Sequence, residues 1–183
     1  MIIAKHINNA KNIIYLIAFM YFASISRHIT CIPFVSRYKG IIFDFNRTLY
    51  NPETNNLTPG VIDLLASLKN SGYRLCLISK ATTENRREEI SDLGLDPYFV
   101  YIQVNEGNKN ASHFRNCMDI LECNPEDILV IGDRIKGEIY LANQLGMKTI
   151  WYKSGKFSTE LPSNEKEKPN HTITILSDVL KYL

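Results

Sequence analysis

Short apolar runs alternate with amphipathic stretches from Tyr38 onward, and this alternation predicts strands and helices in turn. Ile41-Ile42-Phe43 is the first buried strand. Thr58-Pro59 offers a helix N-cap followed by a proline at the first helical position. Val61, Leu64, Leu65 and Leu68 then recur at helical spacing until Gly72 stops the helix. Leu75 to Ile78 is a second strand, and Thr83 caps a polar helix from Glu84 to Leu93 that Gly94 closes. Phe99 to Ile102 is a third strand. Phe114, Cys117, Met118 and Leu121 mark an amphipathic helix, and Asn124-Pro125 turns the chain. Ile128 to Ile131 is a fourth strand. Ile139, Ala142 and Leu145 mark a helix ended by Gly146, and Thr149 to Trp151 is a fifth strand. The stretch from Lys153 to Asn170 is polar, holds Pro162 and Pro169, and reads as a loop. A last strand and a docking helix fit between Ile173 and Leu183.

Continuous apolar strands separated by helices predict an α/β fold, a three-layer, Rossmann-like parallel sheet with helices on both faces. Right-handed crossovers place the carboxyl ends of the strands along one edge. Ligands of open α/β sheets bind at that edge.

Composition refines this picture only modestly. The chain has 183 residues, 45% hydrophobic and 22% charged, enough for one globular domain with a full core. A net charge of +2 gives no case for nucleic-acid binding. Residues 1–43 hold five basic and no acidic residues, so the remaining 16 basic and 19 acidic residues leave the body mildly acidic. Residues 1–37 form a basic leader around the apolar run Ile13 to Phe22, which is short of the roughly 20 residues a membrane span needs. It reads as an export signal, a transit peptide, a membrane anchor or a non-functional extension. Residues 38–183 are the expected catalytic domain. No Cys-x-x-Cys pair occurs and the four histidines do not cluster with the cysteines, which argues against zinc. Nothing demands an oxidising compartment, and a cytoplasmic location is expected unless the leader exports or anchors the chain.

Four polar residues follow the strands. Asp44 follows the first, Ser79 the second, Lys109 lies a few residues beyond the third, and Gly132-Asp133 follows the fourth. Neighbouring strands lie about 4.8 Å apart, so carboxylates at adjacent strand ends repel one another unless a cation sits between them. Mg2+ suits such a site because it takes oxygen ligands from one or two carboxylates and substrate phosphate. Ser79 and Lys109 supply the hydrogen bonds and charge that phosphoryl transfer needs, leaving Asp44 to attack phosphorus. Taken singly, each residue reads as a turn former, a cap or a surface charge; their order and placement carry the inference.

The segment IIFDFNRTLY resembles the first motif of the haloacid dehalogenase (HAD) superfamily, hhhDxDGT[LV]. LCLIS resembles the second motif, Lys109 stands as the third-motif lysine, and VIGDRIKGEI resembles the fourth, GDxxxx[DE]. The resemblance covers roughly residues 38–152. It implies Asp44 as nucleophile and Mg2+ ligand, a metal contact from the backbone carbonyl at Asn46, and phosphoryl binding by Ser79 and Lys109. Asp133 is then a direct ligand and Glu138 a ligand directly or through water. The family's acid/base aspartate is Asn46 here, and its usual glycine is Arg47, whose guanidinium suits a substrate phosphate or carboxylate.

Many relatives carry a cap domain inserted between these motifs. Only 34 residues separate Asp44 from Ser79 and 29 separate Ser79 from Lys109, so a capless member is expected. Its open site suits a phosphorylated small molecule or macromolecule, unless a second subunit of a homo-oligomer covers it. Tyr50, on the flap from Tyr50 to Asn56, is a candidate substrate contact. The leading expectation is a Mg2+-dependent phosphatase working through an aspartyl-phosphate. Behind it stand an impaired relative that binds a phosphorylated ligand without turnover, then a dehalogenase, then a receiver domain.

Overall fold

The computed structural model describes residues 36–81 and 84–183. Residues 1–35 of the leader and the proposed Thr83 cap therefore lie outside the described residues. The remaining chain forms a six-stranded sheet in the order β5-β4-β1-β6-β7-β8, and every paired neighbour is parallel.

Strand β1 (Gly40–Asp44) is buried at every position because it has neighbours on both edges and helices on both faces. A Cβ at Gly40 would stand 2.8 Å from Leu121 Cδ1, so a side chain there would collide with the covering helix. Strand β4 (Arg74–Lys80) and strand β6 (Ile128–Gly132) flank β1. Beyond them lie β5 (Tyr101–Asn105), β7 (Lys148–Tyr152) and β8 (His171–Ile173). Alternate residues feed opposite cores, as strand geometry requires. Ile41, Phe43, Leu75, Leu77, Leu129 and Ile131 face α1 (Val61–Asn70) and α2 (Arg86–Asp92). Ile42, Cys76, Ile78 and Val130 face α3 (Ala111–Leu121) and α4 (Tyr140–Gln144).

Several boundaries differ from the expectation; the polar helix runs over Arg86–Asp92 and the last strand over His171–Ile173, and three further differences have a local cause. Helix α1 begins after Gly60, not after Thr58, because the Val61 amide first closes a turn onto the Thr58 carbonyl (3.1 Å) and Gly60 takes φ 78°. Only then does the chain enter the helix. Strand β5 starts at Tyr101 rather than Phe99, since a 3-10 turn (Asp96–Tyr98) precedes it and Val100 is exposed. The C-terminal segment is a 3-10 stretch (Leu176–Tyr182), with Leu176 and Val179 buried against the α1 face.

The strand order reverses at β1: the chain moves outward through β4 and β5, then returns to pair β6 with β1 on the other side. Such a reversal opens a crevice at the carboxyl ends of the strands. A small hairpin, β2 (Tyr50–Asn51) with β3 (Asn56–Leu57), follows β1 directly. Among the described residues, neither interval between the expected motifs holds a separately folded domain. The first contains the hairpin and α1, the second α2 and β5. No helix among the described residues is long and apolar enough to cross a membrane.

Candidate active site

Asp44 ends β1, and Asp133 follows β6, so adjacent parallel strands deliver two carboxylates to one edge. The third arrives by a different route. After Asp133 the chain makes a wide helical turn (Ile135–Ile139) interrupted at Gly137, and Glu138 folds back over the end of β6. A Cβ on Gly132 would stand 2.9 Å from Glu138 Cβ, so only glycine at position 132 leaves room for that approach. One ligand oxygen from each of Asp44, Asp133 and Glu138 lies within 4.8 Å of the others, and all three residues are buried.

Lys109 completes the cluster. It sits one residue before the N-cap of α3, where a reciprocal cap fixes the backbone: Ser112 N–H donates to Asn110 Oδ1 (2.9 Å), and Asn110 N–H donates to His113 Nδ1 (3.2 Å). From there the ammonium donates to Glu138 Oε1 (2.6 Å) and to Asp44 Oδ1. Thr48 Oγ1 donates to Asp44 Oδ2 (3.2 Å), so both carboxylate oxygens of Asp44 are oriented.

The electrostatics follow from burial. Burial pushes the Asp44 carboxyl up to about 6; Lys109 opposes this and Glu138 adds to it. Asp133 is pushed up to about 9, first by burial and then by the charges of Asp44 and Glu138. Burial alone would lower the Lys109 ammonium, but Asp44 and Glu138 together hold it above its ordinary value. With all four ionised, three carboxylates against one ammonium carry a formal charge of −2. Asp133 Oδ2 and Glu138 Oε2 are buried with no hydrogen-bond partner. Unsatisfied buried carboxylate oxygens are costly. A hard divalent cation would satisfy both and neutralise the cluster, so the donor set fits Mg2+.

A cavity of about 490 Å3 opens over this edge. Of the expected site residues, Asp44, Asn46, Arg47, Lys109, Asp133 and Glu138 line it. Two do not. Ser79 is fully buried near the end of β4, and its hydroxyl donates to the Lys80 carbonyl (3.2 Å). Tyr50 is turned inward, stacked on Phe45 (5.1 Å between centroids), with its hydroxyl donating to Asn55 Oδ1 (3.0 Å). The candidate substrate contact at Tyr50 is thus placed away from the cavity, because the aromatic pair anchors the hairpin instead.

The sequence reading missed Thr48, Lys80, Arg134 and Phe157. Thr48 lies inside the first motif, where its spacing of four from Asp44 was the available signal. Lys80 lines the cavity beside Asn108, to which it donates (2.9 Å). Arg134 and Phe157 come from the segments after β6 and β7 and meet across the cavity wall, with the guanidinium 4.4 Å from the ring centroid. No periodicity marks such a contact.

A family model described as haloacid dehalogenase-like hydrolase matches residues 45–152. Glyceraldehyde 3-phosphate phosphatase of Pyrococcus furiosus is 33% identical over 129 residues, covering 68% of this chain and 53% of that protein. The probable phosphatase YqeG of Bacillus subtilis is 29% identical over 112 residues, covering 61% of this chain and 62% of that protein. The chain thus spans about half the length of the glyceraldehyde 3-phosphate phosphatases it matches. A predicted phosphoglycolate phosphatase from Haemophilus somnus superposes with a TM-score of 0.67 at 16% identity, covering 80% of this chain and 98% of that one. At that identity the likeness concerns the fold alone. The family match spans more than half of the chain and runs through the turn after β1 to the end of β7, so the chain belongs to the haloacid dehalogenase-like hydrolases.

Proposed function

We propose that this protein is a Mg2+-dependent phosphatase that works through an aspartyl-phosphate on Asp44. The observation that carries the reading is the buried cluster of Asp44, Asp133 and Glu138 around Lys109, with two carboxylate oxygens left unsatisfied. The relatives named as phosphatases support it. Asp44, Asp133 and Glu138 would hold the cation, which when bound offsets the negative charge of the carboxylates and of the phosphoryl oxygens.

The chain's own groups do the rest. Thr48 and Lys109 hold the Asp44 carboxylate, reducing the rotational freedom lost on attack. A carboxylate oxygen of Asp44 bonds to phosphorus while the bond to the leaving oxygen breaks. Lys109 balances the charge on the transferring group. Water then attacks the phosphorus of the aspartyl-phosphate, releasing inorganic phosphate and restoring the carboxylate. Asn46 can neither protonate the leaving oxygen nor take a proton from that water. Substrates whose leaving group needs no proton, acyl or aryl phosphates, are therefore favoured over alkyl esters. The substrate class is a phosphorylated small molecule.

Asn46 also motivates a second reading, a relative that binds a phosphorylated ligand without turnover. Phosphate release from an aryl phosphate with and without Mg2+, using Asp44→Asn as control, separates the two. Mg2+-dependent release that vanishes in the control supports catalysis. Binding of a phosphate analogue with no release in the wild type supports the second reading and overturns the first.

A further inference from the structure

One part of the cavity wall gathers cations around one aromatic ring. Arg47 lies 5.5 Å from the Phe157 ring centroid, Arg134 4.4 Å and Lys156 5.7 Å. Arg47, Arg134, Lys136 and Phe157 all line the active-site cavity. Two carboxylates hold this group from behind. Glu53 Oε1 takes both Nε (3.0 Å) and Nη2 (3.0 Å) of Arg47, which leaves Nη1 without a partner among the described residues. Glu160 pairs with Arg134 Nε (3.6 Å) and accepts the Lys136 backbone N–H (3.2 Å), so one side chain fixes the whole Arg134–Lys136 turn.

On this wall the cations outnumber the carboxylates paired with them. Three cations, Arg47, Arg134 and Lys156, meet on the ring and Lys136 lines the same cavity, while Glu53 and Glu160 pair with Arg47 and Arg134. Bringing like charges together on one ring is unfavourable unless an anion joins them. Arg47 also stands where its side chain costs something to keep, at φ 63° in the left-handed region that a glycine would occupy freely. Arg47 and Asp133 act on each other electrostatically, so this wall lies beside the proposed reaction centre.

We infer that Arg47 and Arg134 around Phe157, with Lys136 lining the same cavity, form a second anion subsite, which selects substrates carrying another acidic group close to the transferred phosphoryl. A carboxylate or a second phosphoryl group both satisfy the chemistry, since guanidinium forks bind either in two-point fashion. The Phe157 ring holds the guanidinium planes in place by cation–π contact, which lowers the entropy lost on binding. The inference rests on the proposed phosphatase reading for the position of the first phosphoryl group.

The test compares phenyl phosphate, 4-carboxyphenyl phosphate and 1,4-phenylene bisphosphate on the wild-type chain, Arg47→Gln, Arg134→Gln and, at the far end of β1, Lys39→Gln. The wild type is expected to prefer at least one doubly charged substrate over phenyl phosphate by about tenfold or more in kcat/KM, the scale of one charge-assisted pair. That ratio collapses toward unity in Arg47→Gln and Arg134→Gln and persists in Lys39→Gln. Preference for the carboxylate alone, or for the bisphosphate alone, identifies which anion the subsite takes. The same comparison is run in parallel as binding, by calorimetry with phenylphosphonate and 4-carboxyphenylphosphonate. If no substrate turns over, the phosphatase reading fails, while a carboxylate-dependent gain in phosphonate affinity that Arg134→Gln removes still upholds the subsite. Equal kcat/KM for singly and doubly charged substrates, together with equal phosphonate affinities, overturns it.

Discussion

Asn46 and Arg47 stand at consecutive positions after Phe45, and each departs from the family pattern in a way that predicts a measurement. Asn46 lines the same cavity as Asp44, and its Oδ1 is buried without a partner. Asn46→Asp supplies a titratable group there, so turnover of alkyl phosphates is expected to rise by about 10²–10⁴-fold, the usual contribution of general acid–base catalysis. Aryl phosphates should gain far less. Unchanged rates on alkyl substrates would mean that position 46 does not reach the leaving group. Arg47 makes the opposite kind of test. Its left-handed backbone costs roughly 1–2 kcal/mol relative to glycine. Its half-exposed pair with Glu53 contributes only about 0–1 kcal/mol. Arg47→Gly also frees the unfolded chain, at about 0.4–1 kcal/mol. These effects nearly cancel, so the melting temperature should move little. A drop of several degrees would show that the side chain holds the loop instead of serving the cavity.

At the scale of elements, the turn from β6 to α4 decides whether the third carboxylate arrives. Gly132→Ala puts a methyl group 2.9 Å from Glu138 Cβ, where both partners are fixed close to the backbone. Overpacking of this kind costs about 1–3 kcal/mol. Glu138 can escape only by leaving the cluster, so both thermal stability and Mg2+ affinity should fall together. Retained Mg2+ affinity at reduced stability would remove Glu138 from the metal site. This turn also shows how far the sequence could be read. Strands β1, β4, β6 and β7 were legible because burial on both faces makes them near-continuous apolar runs. The edge strand β5 carries Gln103 and Asn105 and is only partly buried, so its apolar signal weakens and its start slid by two residues. Asp44, Lys109 and Asp133 were legible because strand ends and helix starts fix their places. Arg134 and Phe157 were not, since they meet through a loop that reads only as polar sequence. Tyr50 misled because aromatic exposure on a flap cannot be told from aromatic packing beneath it.

For the molecule as a whole, the carboxylate cluster couples folding, protons and metal. Asp133 is held up to about 9 and Asp44 up to about 6, both chiefly by burial. In the unfolded chain both return to the ordinary carboxylate range near 4. Between those limits the folded, metal-free protein binds more protons than the unfolded chain, so its stability falls as pH rises. For Asp44 that loss runs from about pH 4 to about 6, and for Asp133 it continues to about 9. A cation that takes these oxygens must displace the same protons, so its affinity rises with pH over the same window. Melting curves across pH 5 to 9, with and without Mg2+, should therefore diverge on the alkaline side. The metal-free melting temperature falls while the Mg2+-induced increment grows. Asp133→Asn keeps the shape but not the charge, and should flatten both trends by raising metal-free stability at high pH and shrinking the increment. A pH-independent Mg2+ increment in the wild type would mean that the cation does not bind at Asp133.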